Sequence, residues 1–297
     1  MSKERSLVTS LSTIVSYIFF IVHGVMMVYV VEDIKRDKTY WALLTGIILM
    51  IIVGIVRKIK KMDCKWFSPM VFLYLCTVVP SIIVVEHHNL VLKANKEYPD
   101  CTNSDHSATK QCKEMRIYEE STFLTLITGR WLMSRGDMTR DQLGQLLLTY
   151  FALGADTLDI LDFIQGASQD SSQIATWVGL GLFAWSMMQF PFMLSEGFSI
   201  SLLDIPDSEE QQPPPAVKTC IGYFTDDFVR VMTLCFTLIM QDVPFLFYRL
   251  YLTTREGLFL HSLTFFIIKN IFTIAIQLYR VGAFICSRRR KRPTPPP

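Results

Sequence analysis

The sequence predicts an all-α polytopic transmembrane helix bundle of about eight spans, with both termini cytoplasmic. Three observations carry this. Hydrophobic residues make up 51% of 297 positions and mean hydropathy is +0.32, too apolar for a typical soluble domain. Apolar runs recur along the whole chain, with no separate soluble module. Two basic clusters, Arg57-Lys58-Ile59-Lys60-Lys61 and Arg288-Arg289-Arg290-Lys291-Arg292, directly follow apolar runs, as cytoplasmic flanks do.

Taken in order, residues 1–10 form a cytoplasmic N-terminus with Lys3 and Arg5. The run 11–31 is too long for a signal-peptide core and ends in no small-x-small cleavage site, so it reads as an uncleaved anchor. Further spans are expected at 41–56, 67–85, 143–164, 176–194, 228–251 and 258–285, each near the length of about 20 residues that crosses the hydrocarbon core. Trp41, Trp66 and Trp177 stand at run edges, where amphipathic rings favour the interface. Seven crossings would leave the Arg288–Arg292 cluster outside. An eighth at 118–133 returns it, and most loop Lys and Arg, to the inside. That segment is short and carries Glu119, Glu120 and Arg130 near its ends, so a tilted or re-entrant path is the alternative. The expected outer loops are 32–40, 86–117, 165–175 and 252–257; the inner ones are 57–66, 134–142 and 195–227. Residues 11–286 thus form one transmembrane domain, and 287–297 a basic, proline-rich cytoplasmic tail.

Charges inside these runs point to a site. Asp156, Asp242 and Lys269 sit well within apolar segments, where a charge costs about 2.5–3.5 kcal/mol on insertion scales. Asp156, Asp159 and Asp162 recur at i, i+3 and i+6, within about 120° of one helix face. Gln241-Asp242 and Lys269-Asn270 fall at a similar depth, so three helices are expected to present polar groups at one level. The functional reading is a proton or cation site, with Asp156 and Asp242 as carriers and Lys269 as counter-charge. The packing reading is an ion-pair cluster that fixes the helices, with one of two acids left protonated or hydrated. Pro244 removes a backbone donor and is expected to free the Met240 carbonyl beside Asp242. Pro191 raises the same question more weakly, and His23 reads as a satisfied packing residue.

Cys101 and Cys112 lie in the expected outer loop, where a disulfide suits an oxidising compartment. His87, His88 and His106 nearby fit no metal-ligand spacing, so no metal or cofactor is expected. Cys76 and Cys235 read as core packing, while Cys64, Cys220 and Cys286 stand near inner membrane edges. The acidic, proline-rich stretch 204–215 reads as a tether. Arg288, Arg289, Arg290, Lys291 and Arg292 suit anionic lipid heads better than nucleic acid, because they abut a membrane segment.

Several phrases resemble the transmembrane protein 26 family. They are Gly129-Arg130-Trp131-Leu132; Arg140-Asp141-Gln142-Leu143-Gly144-Gln145-Leu146-Leu147-Leu148; Ala155-Asp156 with Asp159; Trp185-Ser186-Met187-Met188-Gln189-Phe190; Gln241-Asp242-Val243-Pro244-Phe245-Leu246; and Lys269-Asn270. The resemblance runs from about residue 11 to 286 and implies a many-spanning membrane protein. It brings no catalytic or transport assignment. It includes Asp156, Gln241, Asp242 and Lys269, the layer reached from burial cost alone.

No G-x-S-x-G, Walker A loop or H-E-x-x-H occurs, and Gly179-Leu180-Gly181 lacks the setting of a dinucleotide site. The expected function is therefore a non-enzymatic assembly or signalling protein of the plasma membrane or endoplasmic reticulum. Its expected partners are the lipid bilayer and either a second copy or another membrane protein. The alternative is a proton or small-cation transporter working through the Asp/Lys layer. An odd span count would be needed for a seven-helix receptor.

Overall fold

A computed structural model describes residues 2–60, 67–94, 106–134, 140–166, 173–192, 235–255 and 261–290. Among these the chain is helical without strands. The elements are α1 (Ser2–Lys35), a 3-10 helix (Lys38–Leu44) running into α2 (Thr45–Lys60), α3 (Pro69–Ala94), α4 (His106–Ser134), α5 (Arg140–Gly166), α6 (Gln173–Met187), a π-helical turn (Leu238–Asp242) running into α7 (Val243–Arg255), and α8 (His261–Arg290). Among the described residues four helical stretches are long and apolar enough to cross a membrane: Leu11–Lys35, Lys38–Lys60, Pro69–Leu92 and Leu263–Ala283. A fifth apolar stretch, Ile174–Met187, is shorter.

The chain divides into two compact units, Met1–Asp170 with Phe190–Ser208, and Ser171–Gln189 with Glu209–Pro297. In the first unit α1 packs on α3 and α4, α2 on α3, and α4 on α5. Helix α1 shows a membrane pattern. Its buried stripe is Ser12, Ser16, Phe20, His23, Met27 and Val31, while Leu11, Ile14, Ile18, Phe19, Val22 and Tyr29 face outwards. The outward face is the more apolar one, as a lipid-facing helix requires, since lipid tails reward no further burial of Leu or Ile.

Association therefore rests on close approach and on polar contacts between helices. Gly46 lies against the α3 backbone, and a Cβ there would fall 2.9 Å from the Leu73 carbonyl oxygen. Gly129 lies under the Phe20 ring, where a Cβ would fall 2.6 Å from a ring carbon. Ser16 Oγ reaches the Gly129 carbonyl at 3.2 Å, and Thr77 Oγ1 donates to the Leu43 carbonyl at 3.1 Å.

Several boundaries differ from the expected ones. Helix α1 continues to Lys35, and Arg36 then turns the chain with φ 53°. The expected outer loop 86–117 is shorter, because α3 continues to Ala94 and α4 begins at His106. Glu86 is accordingly not a loop residue but a buried one, 1% exposed, with Asn89 Nδ2 donating to its Oε1 at 3.4 Å. The span expected at 176–194 ends as a helix at Met187 and continues as turns to Phe192. Pro191 accounts for this: it has no N–H and biases Phe190 away from the helical region. Two carbonyls of this turn bond within the first unit. Phe190 O accepts from Tyr150 Oη at 3.0 Å and Pro191 O from the Ser68 N–H at 2.8 Å. Phe190 itself is fully buried between the rings of Phe123 and Tyr150.

Candidate functional site

The second unit holds a polar seam between α7 and α8, bordered by α6. Its origin is the π turn. In an α-helix the Val243 N–H would bond the Ile239 carbonyl; here it bonds Leu238 O, five residues back. The Ile239 carbonyl accepts instead from the Trp185 indole N–H of α6 at 3.4 Å. Pro244, one residue on, has no N–H for Met240 O, so the backbone break expected from the sequence extends through this turn.

Gln241 and Asp242 are buried at 1% and 4% exposure. Gln189 Nε2 donates to Gln241 Oε1. Gln277 Nε2, on α8, donates to Asp242 Oδ2 at 3.1 Å. Two turns along α7 from Asp242, Arg249 is fully buried, its guanidinium carbon 4.6 Å from the Phe266 ring centroid and 5.6 Å from that of Phe245. Lys269 Nζ lies 5.3 Å from the same Phe266 ring. One aromatic ring of α8 thus faces two cationic groups, a contact whose strength grows with desolvation. Tyr248 Oη donates to the Ala175 carbonyl at 3.0 Å and ties α7 to α6.

Asn270 is the most constrained member. It is fully buried, and neither Oδ1 nor Nδ2 has a hydrogen-bond partner among the described residues. Gln277 Oε1 and Gln189 Oε1 are likewise buried without a partner there. Leu263, Asn270 and Gln277 recur every seven residues and so share one helix face. On the other faces Phe265, Ile268, Ile271, Phe272, Ile276 and Tyr279 are exposed.

In the first unit, along α5, Asp156 is buried, Asp159 half-buried and Asp162 exposed. Asp156 belongs to the first unit, whereas Gln241, Asp242, Lys269 and Asn270 belong to the second. His23 is a satisfied core histidine held from two other helices. Ser121 Oγ uses its proton on the Tyr118 carbonyl at 2.7 Å, so it accepts from His23 Nε2 at 2.8 Å. His23 Nδ1 then accepts from the Tyr74 hydroxyl at 2.9 Å. The network selects the tautomer with its proton on Nε2.

Arg249, Gln277 and Gln189 were not singled out by the sequence as site residues, yet a signal existed for two of them. Arg249 is seven residues from Asp242, and Gln277 seven from Asn270, so each shares the face of a recognised polar residue. The pair Cys101 and Cys112 lies outside what is described, since Cys101 is not among the described residues and the side chain of Cys112 is not described. The same holds for the basic tail: Arg288, Arg289 and Arg290 extend α8 without described side chains, and Lys291 and Arg292 lie beyond the described residues. Cys76 is a correction: it is exposed on α3 rather than packed in the core. Among the described residues no group of three or more His, Cys, Asp or Glu is arranged to hold a metal ion.

The family model for transmembrane protein 26 matches residues 7–280. The chain belongs to the transmembrane protein 26 family and is an integral, multi-pass membrane protein. No solved structure matches it.

Proposed function

We propose that this membrane protein is a non-enzymatic carrier of protons or small cations, acting at the α7–α8 seam of the second unit with Asp242 as the titrating group. One observation carries the reading: a buried carboxylate at the end of a π turn, one residue before Val243 and two before Pro244. In a bilayer, irregular backbone is tolerated where protein or a wet cavity surrounds it, and interrupted helices recur at ion sites of transporters. An intramembrane acid is costly enough that function is its default explanation. The graded Asp156, Asp159 and Asp162 face offers a second set of carboxylates on α5.

In the matching topology the chain crosses eight times with both termini cytoplasmic, in the plasma membrane or endoplasmic reticulum. Arg288, Arg289, Arg290, Lys291 and Arg292 contact anionic lipid heads there, each contributing about 1 kcal/mol. A second reading, an assembly or signalling protein that pairs with another copy or another membrane protein, is favoured by the amide closures Gln189–Gln241 and Gln277–Asp242. Such bonds act as interhelical glue without any guest.

The test is proton, Na+ and K+ flux into liposomes holding the purified full chain, beside Asp242→Asn and Asp156→Asn. Flux lost in a normally folded Asp242→Asn variant supports the carrier. A silent wild type, with Asp242→Asn failing to fold, makes the seam structural and leaves the assembly reading.

A further inference from the structure

We infer that Asn270 anchors a water-sized site in the α7–α8 seam, and that the species this site serves is the water-borne proton, not a dehydrated metal cation. The inference rests on the carrier reading of the same seam and names its substrate. Asn270 is fully buried, with one acceptor and one donor group unused among the described residues. A carboxamide can make four hydrogen bonds, and a buried one left without any forfeits the whole of its hydration. Two turns along the same face, Gln277 offers a third unused atom, Oε1, while its Nε2 is committed to Asp242.

The chemistry of these atoms selects the guest. A bare cation satisfies oxygen acceptors but leaves the Asn270 N–H groups without an acceptor. Water both donates and accepts, so it alone among these candidates completes both ends of the Asn270 amide; Gln277 Oε1, two helical turns or about 10 Å along α8, takes a second water. Buried waters of this kind bind where two to four polar groups converge. A proton arriving as hydronium at the Asn270 water passes through the second water at Gln277 to the Asp242 carboxylate. The products are neutral water and a carboxylic acid, and the acid's O–H then releases the same proton onwards. Nothing is oxidised or reduced. Gln277 holds the Asp242 oxygen in place through Nε2.

The experiment uses the full chain in liposomes and reads two quantities. The first is proton flux under an imposed pH gradient, followed by a trapped pH-sensitive dye, with Na+ and K+ gradients imposed separately. The second is the internal-water O–H band in H2O-against-H2(18)O infrared difference spectra. The variants are Asn270→Leu, Asn270→Ser, which keeps a donor and an acceptor, and Asp242→Asn. We expect proton flux without Na+ or K+ flux, lost together with the water band in Asn270→Leu and retained in Asn270→Ser. Normal circular dichroism in either Asn270 variant validates the comparison, and Asn270→Ser carries it where Asn270→Leu does not fold. A flux of Na+ or K+ through the wild type, or an unchanged water band in folded Asn270→Leu, overturns the inference while leaving the carrier intact. A wild type without any flux overturns the carrier reading and this inference with it.

Discussion

The two units differ in how fully their buried polar groups are paired, although Ser68 Oγ in the first is also without a partner among the described residues. In the first, His23, Tyr74 and Ser121 close on one another, and Ser16 and Thr77 each find a carbonyl on a neighbouring helical segment. In the second, Asn270 keeps both ends of its amide unused, and Gln277 and Gln189 each keep an oxygen unused among the described residues. Helices α1 and α3 run on through their buried polar groups, whereas the helix bearing Asp242 is reorganised into a π turn. A polar residue whose bonds are complete fixes a packing. One with spare capacity can hold something that comes and goes.

The largest expected effect tests whether the first unit is held by fit. Phe20 is fully buried, its ring centroid 4.6 Å from that of Tyr74 and its edge on Gly129. Phe20→Ala should lower stability by about 2 kcal/mol, below the ~3–5 typical of soluble cores, because lipid removes most of the transfer contribution and leaves the cavity. Equilibrium unfolding in mixed micelles reads this. A loss near zero would mean that α1, α3 and α4 repack freely, and the contrast with the seam would collapse.

The next effect sharpens the contrast at a single bond. His23→Phe, Tyr74→Phe and the double variant form a cycle across α1 and α3. Their coupling should lie near 0.6 kcal/mol and not exceed about 1.7, the span found for hydrogen bonds between membrane helices. The Ser121 contact remains in Tyr74→Phe, so a coupling of zero would place the strength of the triad on the α4 side.

Much of this architecture was legible because hydropathy and helical period are local. The runs 11–31, 41–56, 67–85 and 258–285 each fall within or largely overlap a long apolar helical stretch. What escaped was set by tertiary contacts. Helix α4 begins at His106 although its first turns are polar, Lys110, Lys113 and Glu114 among them, so no apolar run announces it. Pro244 gave warning of a backbone break, but not that the π turn would reach back to Leu238 or that Trp185 would take the Ile239 carbonyl. A buried Arg249 is hard to anticipate from burial cost alone; its position seven residues from Asp242 was the available clue.

The smallest effect concerns the link between α1 and α2, where Arg36 takes a positive φ and Asp37 caps the 3-10 helix. Asp37 Oδ1 accepts from the Thr39 N–H at 2.9 Å and the Thr39 hydroxyl at 2.7 Å, and these bonds hold its carboxyl below the usual aspartate range. A depressed folded pKa means that the cap's contribution is complete above the unfolded value of about 3.9 and is lost as pH falls through the lower folded value. Because Asp37 is exposed, the effect is local fraying and not loss of the fold. The protection factor of the Thr39 amide, taken against its intrinsic exchange rate at each pH, should fall only below the ordinary aspartate range, and Asp37→Asn should flatten that dependence. Loss of protection already at pH 5 would show the capping bonds to be weaker than their geometry. It would also set this turn beside the seam as a place where polar groups are held loosely.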